Sequence, residues 1–144
     1  MSPELKKHIV KTALLWRGVP YQHRGTTKAG CDWTGLIIGV LQELGYLKGY
    51  ILRKYAKDWN LHAGADDYLI REISKIAVPV LTPAPGDIVL FKFGQCVAHA
   101  GIVIDKGLFI HSHVNARKCD ISRLHNSPWT KRISGFYQIQ EDRL

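Results

Sequence analysis

Between Trp33 and Leu44 the chain is apolar almost all the way round a helix. Leu36, Ile37, Ile38, Val40, Leu41 and Leu44 cover most of the circumference instead of one stripe, so such a helix must be packed on several sides. Other elements have to be built around it, which narrows the possible folds more than any other stretch does. The run Gly30-Cys31-Asp32 leads into it. Asp32 is a good N-cap, because its carboxylate can accept from free N–H groups of the next turn and oppose the positive end of the helix dipole. The helix is therefore expected to start at Trp33 and to close at Gly45, a residue able to take positive φ. A cysteine at such a helix start is a known way to stabilise a thiolate.

Around this element the chain reads as one domain, 1–144, with 46% apolar residues and hence enough to form a core. Ser2, Pro3 and Glu4 read as cap, first helical residue and early acid, and Leu5, Ile9, Thr12, Ala13 and Trp16 follow at helical spacing, giving an amphipathic helix that ends before Gly18. Residues 19–30 are polar and glycine-bearing and form a loop; loops at helix starts often line sites. Tyr46 to Ala63 reads as an excursion with little regular structure. Ala65 to Ile76 is helical again, with Asp66 and Asp67 in the first turn, and Pro79, Pro83 and Pro85 then exclude helix. From Pro85-Gly86 the pattern changes to strands over Asp87 to Phe93, Val97 to Ile104, Leu108 to His113 and Ile133 to Gln140. Helices first and strands afterwards make an α+β domain, the central helix lying on one face of an antiparallel sheet.

The net charge of +8 favours anionic partners such as nucleic acid, acidic wall polymer or phospholipid. Its basic residues are dispersed and its aromatics sit in apolar patterns, which argues against nucleic acid. No apolar run is long enough to span a bilayer, and the start lacks the basic-then-apolar order of a secretory signal, so synthesis in the cytoplasm is expected. Cys31, Cys96 and Cys119 form neither a CxxC pair nor an even disulfide framework and read as reduced thiols.

Four residues before the glycine-containing turn at 105–107 comes Gly101, and four after it comes His111. A three-residue loop Asp105-Lys106-Gly107 pairs 104 with 108, 101 with 111 and 99 with 113, which places His99, His111 and His113 on one face. A two-residue loop would put His99 and His111 on opposite faces. In the first register His99 can take a thiol proton while His111 holds its imidazole in the useful tautomer. Three same-face histidines beside a thiol also suit zinc, but the spacing is not that of zinc sites, and neither a metal nor a cofactor is expected. Cys96 lies three residues before His99, and odd separation on a continuous strand sends the two to opposite faces. Cys119 follows Arg117-Lys118, a setting that lowers a thiol pKa, but nothing in the pattern brings it to His99.

These residues resemble the NlpC family of papain-like cysteine peptidases, which cleave peptide stems of the bacterial cell wall, and the likeness is closest to members from phage tails and gene transfer agents. It is carried by Gly18-Val19-Pro20-Tyr21, Gly30-Cys31-Asp32-Trp33-Thr34-Gly35-Leu36, Tyr55-Ala56-Lys57-Asp58-Trp59, Pro85-Gly86-Asp87-Ile88-Val89-Leu90-Phe91, His99-Ala100-Gly101-Ile102 and Phe109-Ile110-His111. The resemblance implies His99 as general base, His111 as orienting residue, and Tyr21, Asp32 and Trp33 beside the substrate. The family's nucleophile directly follows the aspartate, and that position here is Trp33. Cys31 stands two residues earlier, as in tail-type relatives resembling Gly-Cys-Asp-Cys. Two extended residues displace a side chain by about 6 to 7 Å, whereas proton transfer needs about 3 Å or one intervening water.

Two functions are therefore expected in competition. One is a peptidoglycan peptide-stem endopeptidase of a phage tail or prophage, with Cys31 as displaced nucleophile, His99 as base and His111 as orienter. The other is a catalytically inactive NlpC-type domain that binds cell wall or a tail protein, with Trp33 in the cleft.

Overall fold

The computed structural model describes residues 2–52, 65–94 and 96–144, with residues 65–68 as backbone only. The Tyr55–Trp59 motif lies outside the described residues, as do the side chains of Asp66 and Asp67.

Helix α1 spans Pro3–Leu14, capped by Ser2, whose hydroxyl accepts from the Leu5 N–H. A short hairpin, β1 (Thr26–Thr27) with β2 (Gly30–Cys31), precedes the central helix α2, Trp33–Glu43. The expected limits of α2 hold: Asp32 caps it, and Gly45 follows the last turn at φ +91°. Its first nine residues are all buried, as an all-round apolar helix requires. Gly35 serves packing there, since a Cβ would overlap the Gly25 carbonyl oxygen. Helix α3 is Ala65–Ser74.

The strands are β3 (Ala77–Val80), β4 (Ile88–Phe93), β5 (Cys96–Asp105), β6 (Leu108–His113), β7 (Lys118–Arg123) and β8 (Ile133–Ile139). They form one antiparallel sheet in the order β3-β8-β4-β5-β6-β7. The sequence pattern misses β3 and β7, the two edges. Edge strands carry prolines and polar residues that protect them from further pairing, as Pro79 and the run Lys118, Asp120, Ser122 do here, and this erases the apolar alternation.

The sheet separates two apolar layers. On one face Ile88, Leu90, Val97, Ala100, Ile102, Ile110 and Cys119 pack with α1 and α2 in the main core. Burying a leucine such as Leu36 or Leu41 there contributes roughly 1.5 to 3 kcal/mol. On the other face Val89, Phe91, Val103, Phe109, Leu124 and Trp129 form a second cluster.

Two bulges set which residues share the second face. Phe91 pairs with His99 but Lys92 pairs with Val97, so Ala98 is an extra residue. Cys96 pairs with Phe93, and since Phe91 and Phe93 lie on one face, Cys96 comes to the face of His99. The expectation of opposite faces fails because the strand is not continuous in its alternation. The second bulge is at Ile104: Asp105 pairs with Leu108, Gly107 takes φ +72°, and Val103–Phe109 and Ile102–Ile110 restore the register expected for the three-residue loop.

Candidate active site

That register sets Gly101 opposite His111. Gly101 provides the room this needs, because a Cβ would fall 2.7 Å from Phe109 Cδ2 and 3.2 Å from His111 Cβ. His99, His111 and His113 share one face, with ring centroids 5.0 Å (99 to 111), 5.2 Å (99 to 113) and 5.8 Å (111 to 113) apart. His99 Nε2 lies 2.7 Å from His111 Nδ1, and His111 Nε2 lies 2.8 Å from Ser122 Oγ on β7. Three groups thus stand in one hydrogen-bonded chain. If His111 donates its Nε2–H to Ser122, its Nδ1 accepts from His99 Nε2–H, and His99 Nδ1 is left as a lone pair able to take a proton.

Aromatic rings enclose this chain. Trp129, in a single 3-10 turn (Trp129–Lys131), stacks on His99 at 5.3 Å with the planes 25° apart, and Phe91 and Phe93 stand 5.7 Å and 6.0 Å from the same ring. Burial holds His99 neutral well below the ordinary histidine range, with repulsion from His111 and His113 adding to it. His111 is lowered to about 3, first by burial and then by His113, against a smaller opposing pull from Asp120. His113 is also lowered by burial. An imidazole in this setting accepts a proton readily only with an anion close by to compensate.

The other bank of the cleft is the start of α2. Asp32 Oδ1 accepts from the Gly35 N–H and from Thr34 Oγ1, each at 2.8 Å, and its Oδ2 accepts from the Arg24 N–H at 2.8 Å. Asp32 is thus committed to holding the turn. Tyr21 forms a parallel bridge to Cys31, and its phenol is raised above its ordinary value by burial and then by the Asp32 charge. Trp33 is 7% exposed and its ring centroid lies 6.1 Å from that of His99. The indole faces His99 and also lines an apolar cavity of about 240 Å³ with Ile37, Leu69, Ile73 and Ile88.

Cys31 points elsewhere. Its sulfur lies 3.4 Å from the sulfur of Cys119 on β7, and both residues are fully buried. The hydrogen bond with Cys119 and burial together push the Cys31 thiol far up, while the same bond draws Cys119 down. Among the residues the sequence marks out, the structure brings together His99, His111 and Trp33, and sets Cys31 with Cys119. Ser122 and Trp129 have no sequence signal beyond their residue type, because one lies on a polar edge strand and the other in an isolated turn. Among the described residues no group of three or more His, Cys, Asp or Glu side chains is arranged to hold a metal ion.

Beside the helix start, a second recess of about 180 Å³ is lined by Arg24, Thr26, Thr34, Ile38, Tyr50 and Leu52.

A helix whose N-terminus meets paired histidines on an antiparallel sheet is the arrangement of a papain-like α+β fold. The chain belongs to the NlpC/P60 family, whose model matches residues 18–138. It is 27% identical over 131 residues to the murein DD-endopeptidase and LD-carboxypeptidase MepS of Escherichia coli K12, covering 91% of this chain and 61% of that protein. It therefore spans about three fifths of that relative's length. A probable endopeptidase p60 of Listeria welshimeri is 38% identical over 55 residues, 38% of this chain and 10% of that protein. Among solved structures, a lipoprotein-like NLP/P60 family protein of Staphylococcus aureus superposes with a TM-score of 0.68 at 20% identity, over 96% of this chain and 42% of that one. The NlpC/p60 domain of the peptidoglycan hydrolase SagA gives 0.60 at 18% identity, over 92% and 97%. The likeness to these structures is one of fold. No helix among the described residues is long and apolar enough to cross a membrane.

Proposed function

We propose that this domain binds the peptide stems of bacterial peptidoglycan without cleaving them through a cysteine at the helix start. One observation carries the reading: the residue of α2 that meets His99 is Trp33, while the Cys31 sulfur is engaged with Cys119. Thiol catalysis needs the nucleophile within hydrogen-bond reach of its base and easily ionised, and the engagement of Cys31 with Cys119, which pushes its thiol far up, argues against both. Membership of a family that includes wall endopeptidases supports the choice of ligand. The recess carrying Arg24 offers a guanidinium to the carboxylates of a stem peptide, with Thr26, Thr34 and Tyr50 as polar neighbours. The net positive charge favours approach to an anionic wall. The resemblance of Gly30-Cys31-Asp32 to tail-type members supports a place on a phage tail or prophage particle.

A second reading, a cysteine endopeptidase using Cys31 after rearrangement of the turn, is favoured by the retained 2.7 Å His99–His111 contact. Muropeptides incubated with wild type, Cys31→Ser and Arg24→Ala separate the two, with binding read by calorimetry and products by mass spectrometry. The binding reading expects intact muropeptides throughout, and affinity reduced roughly tenfold in Arg24→Ala. Cleavage by wild type that Cys31→Ser abolishes would establish the second reading instead.

A further inference from the structure

Cys31 and Cys119 belong to neither the histidine chain nor the Arg24 recess, yet the fold holds them together with unusual economy. Both are anchored to one stretch of chain, residues 18–22, from its two sides. The Cys31 N–H donates to the Pro20 carbonyl at 2.9 Å, and its own carbonyl accepts from the Gln22 N–H at 3.1 Å. The Cys119 N–H donates to the Val19 carbonyl at 2.8 Å, and its carbonyl accepts from the Gly18 N–H at 2.8 Å. A third fixing point is the Ser112 hydroxyl, which donates to the Cys31 carbonyl at 2.7 Å. Neither backbone can move away from the other without breaking these bonds, and the sulfurs sit 3.4 Å apart in a fully buried site.

We infer that Cys31 and Cys119 are a redox pair, converted by hydrogen peroxide into a disulfide that ties the start of α2 to edge strand β7. A disulfide needs its sulfurs at about 2.05 Å with correctly disposed Cβ atoms, a closure that small side-chain rotations supply when the backbones are already aligned. The 3.4 Å contact between the sulfurs draws the Cys119 thiol down, which favours Cys119 as the attacking sulfur. Its thiolate attacks one oxygen of the peroxide, the O–O bond breaks, and the sulfenic acid forms with one water released after protonation. The Cys31 sulfur then attacks the sulfenic sulfur, the S–O bond breaks, and a second water leaves. Two thiols lose two electrons and two protons, and one peroxide is reduced to two waters. A hydroperoxide as small as hydrogen peroxide is the oxidant suited to sulfurs without solvent exposure. The bond spans a sequence separation of 88 residues, a large loop to close in the unfolded chain. It would also withdraw Cys31 from any thiol chemistry at the helix start.

The test is to treat the 144-residue chain with hydrogen peroxide, then unfold it in denaturant, alkylate it and map its peptides without reduction. The expected result is a Cys31–Cys119 linked peptide, a fall from three alkylatable thiols to one, and a melting temperature raised by roughly 5 to 10 °C that a dithiol reductant reverses. Cys96→Ser should keep both the link and the shift, and Cys119→Ser and Cys31→Ala should each lose them. Three unmodified thiols, a link through Cys96, or conversion of Cys119 to sulfinic acid without a link would each overturn the inference. The peptide map of the unmutated protein decides the matter even if a variant folds poorly.

Discussion

The two banks of the cleft are built to different standards of chemistry. On the sheet side, His99, His111 and Ser122 form a continuous hydrogen-bonded chain, packed by Trp129, Phe91 and Phe93. On the helix side the cap is equally well made, with Asp32 accepting three hydrogen bonds, but an indole stands where the chemistry would start. The comparison teaches that the two halves of an active site are under different structural obligations. His99 and His111 are buried in the second apolar layer, so replacing either disturbs packing and leaves polar partners unsatisfied. Position 33 is the first residue of a capped helix, and any side chain that fits against His99 leaves the cap intact.

The contrast is broken most sharply by Trp33→Cys. If the sheet side is still competent, a thiol at position 33 should be alkylated near neutral pH roughly tenfold faster than Cys31, and stem-peptide cleavage should appear where wild type shows none. Loss of the indole should cost roughly 3 kcal/mol in denaturant unfolding. A sluggish thiol at position 33 in a folded variant would mean that the histidine chain is structural only.

Acid titration comes next. His99 and His111 are held below the ordinary histidine value of 6.5, so the unfolded state binds more protons below that pH. Their contribution is complete above pH 6.5 and is lost as pH falls toward about 3, amounting to a few kcal/mol. Asp87, raised by burial, works in the opposite sense, since its ionisation on raising the pH is what costs stability. Urea midpoints from pH 7 to 4 should therefore fall steeply, and a His99→Gln/His111→Gln variant should show a flatter profile. Equal slopes in the two proteins would remove burial of the histidines as the cause.

The smallest effect belongs to Ser122→Ala, about 1 kcal/mol for one lost hydrogen bond. Its sharper readout is the imidazole nitrogen spectrum: the His111 tautomer should become mixed while the His99–His111 contact persists. An unchanged spectrum would show that Ser122 does not set the proton's position.

Much of this was readable from residue order. Asp32, the apolar ring of α2 and Gly45 define the central helix from residue order alone, and Gly107 fixes the turn that aligns the histidines. What escaped has two physical origins. Edge strands hide their pattern for the reasons that protect them, which concealed β3, β7 and with it Ser122. Bulges change the parity of a strand without any marker residue: Ala98 reverses the placement expected for Cys96 relative to His99. The direction of the Cys31 side chain depends on contacts far along the chain, with Cys119 and Ser112, which local spacing does not encode.

Strand order also governs how the molecule can be made. β8, last of the strands in sequence, is inserted between β3 and β4, and among the described residues β3 pairs with it alone. During vectorial synthesis β4, β5, β6 and β7 can zip together as successive neighbours while one edge of β4 and the whole of β3 wait unpaired. The nascent domain therefore passes through a stage with an open seam in its middle, vulnerable to pairing with another chain until the final strand closes it.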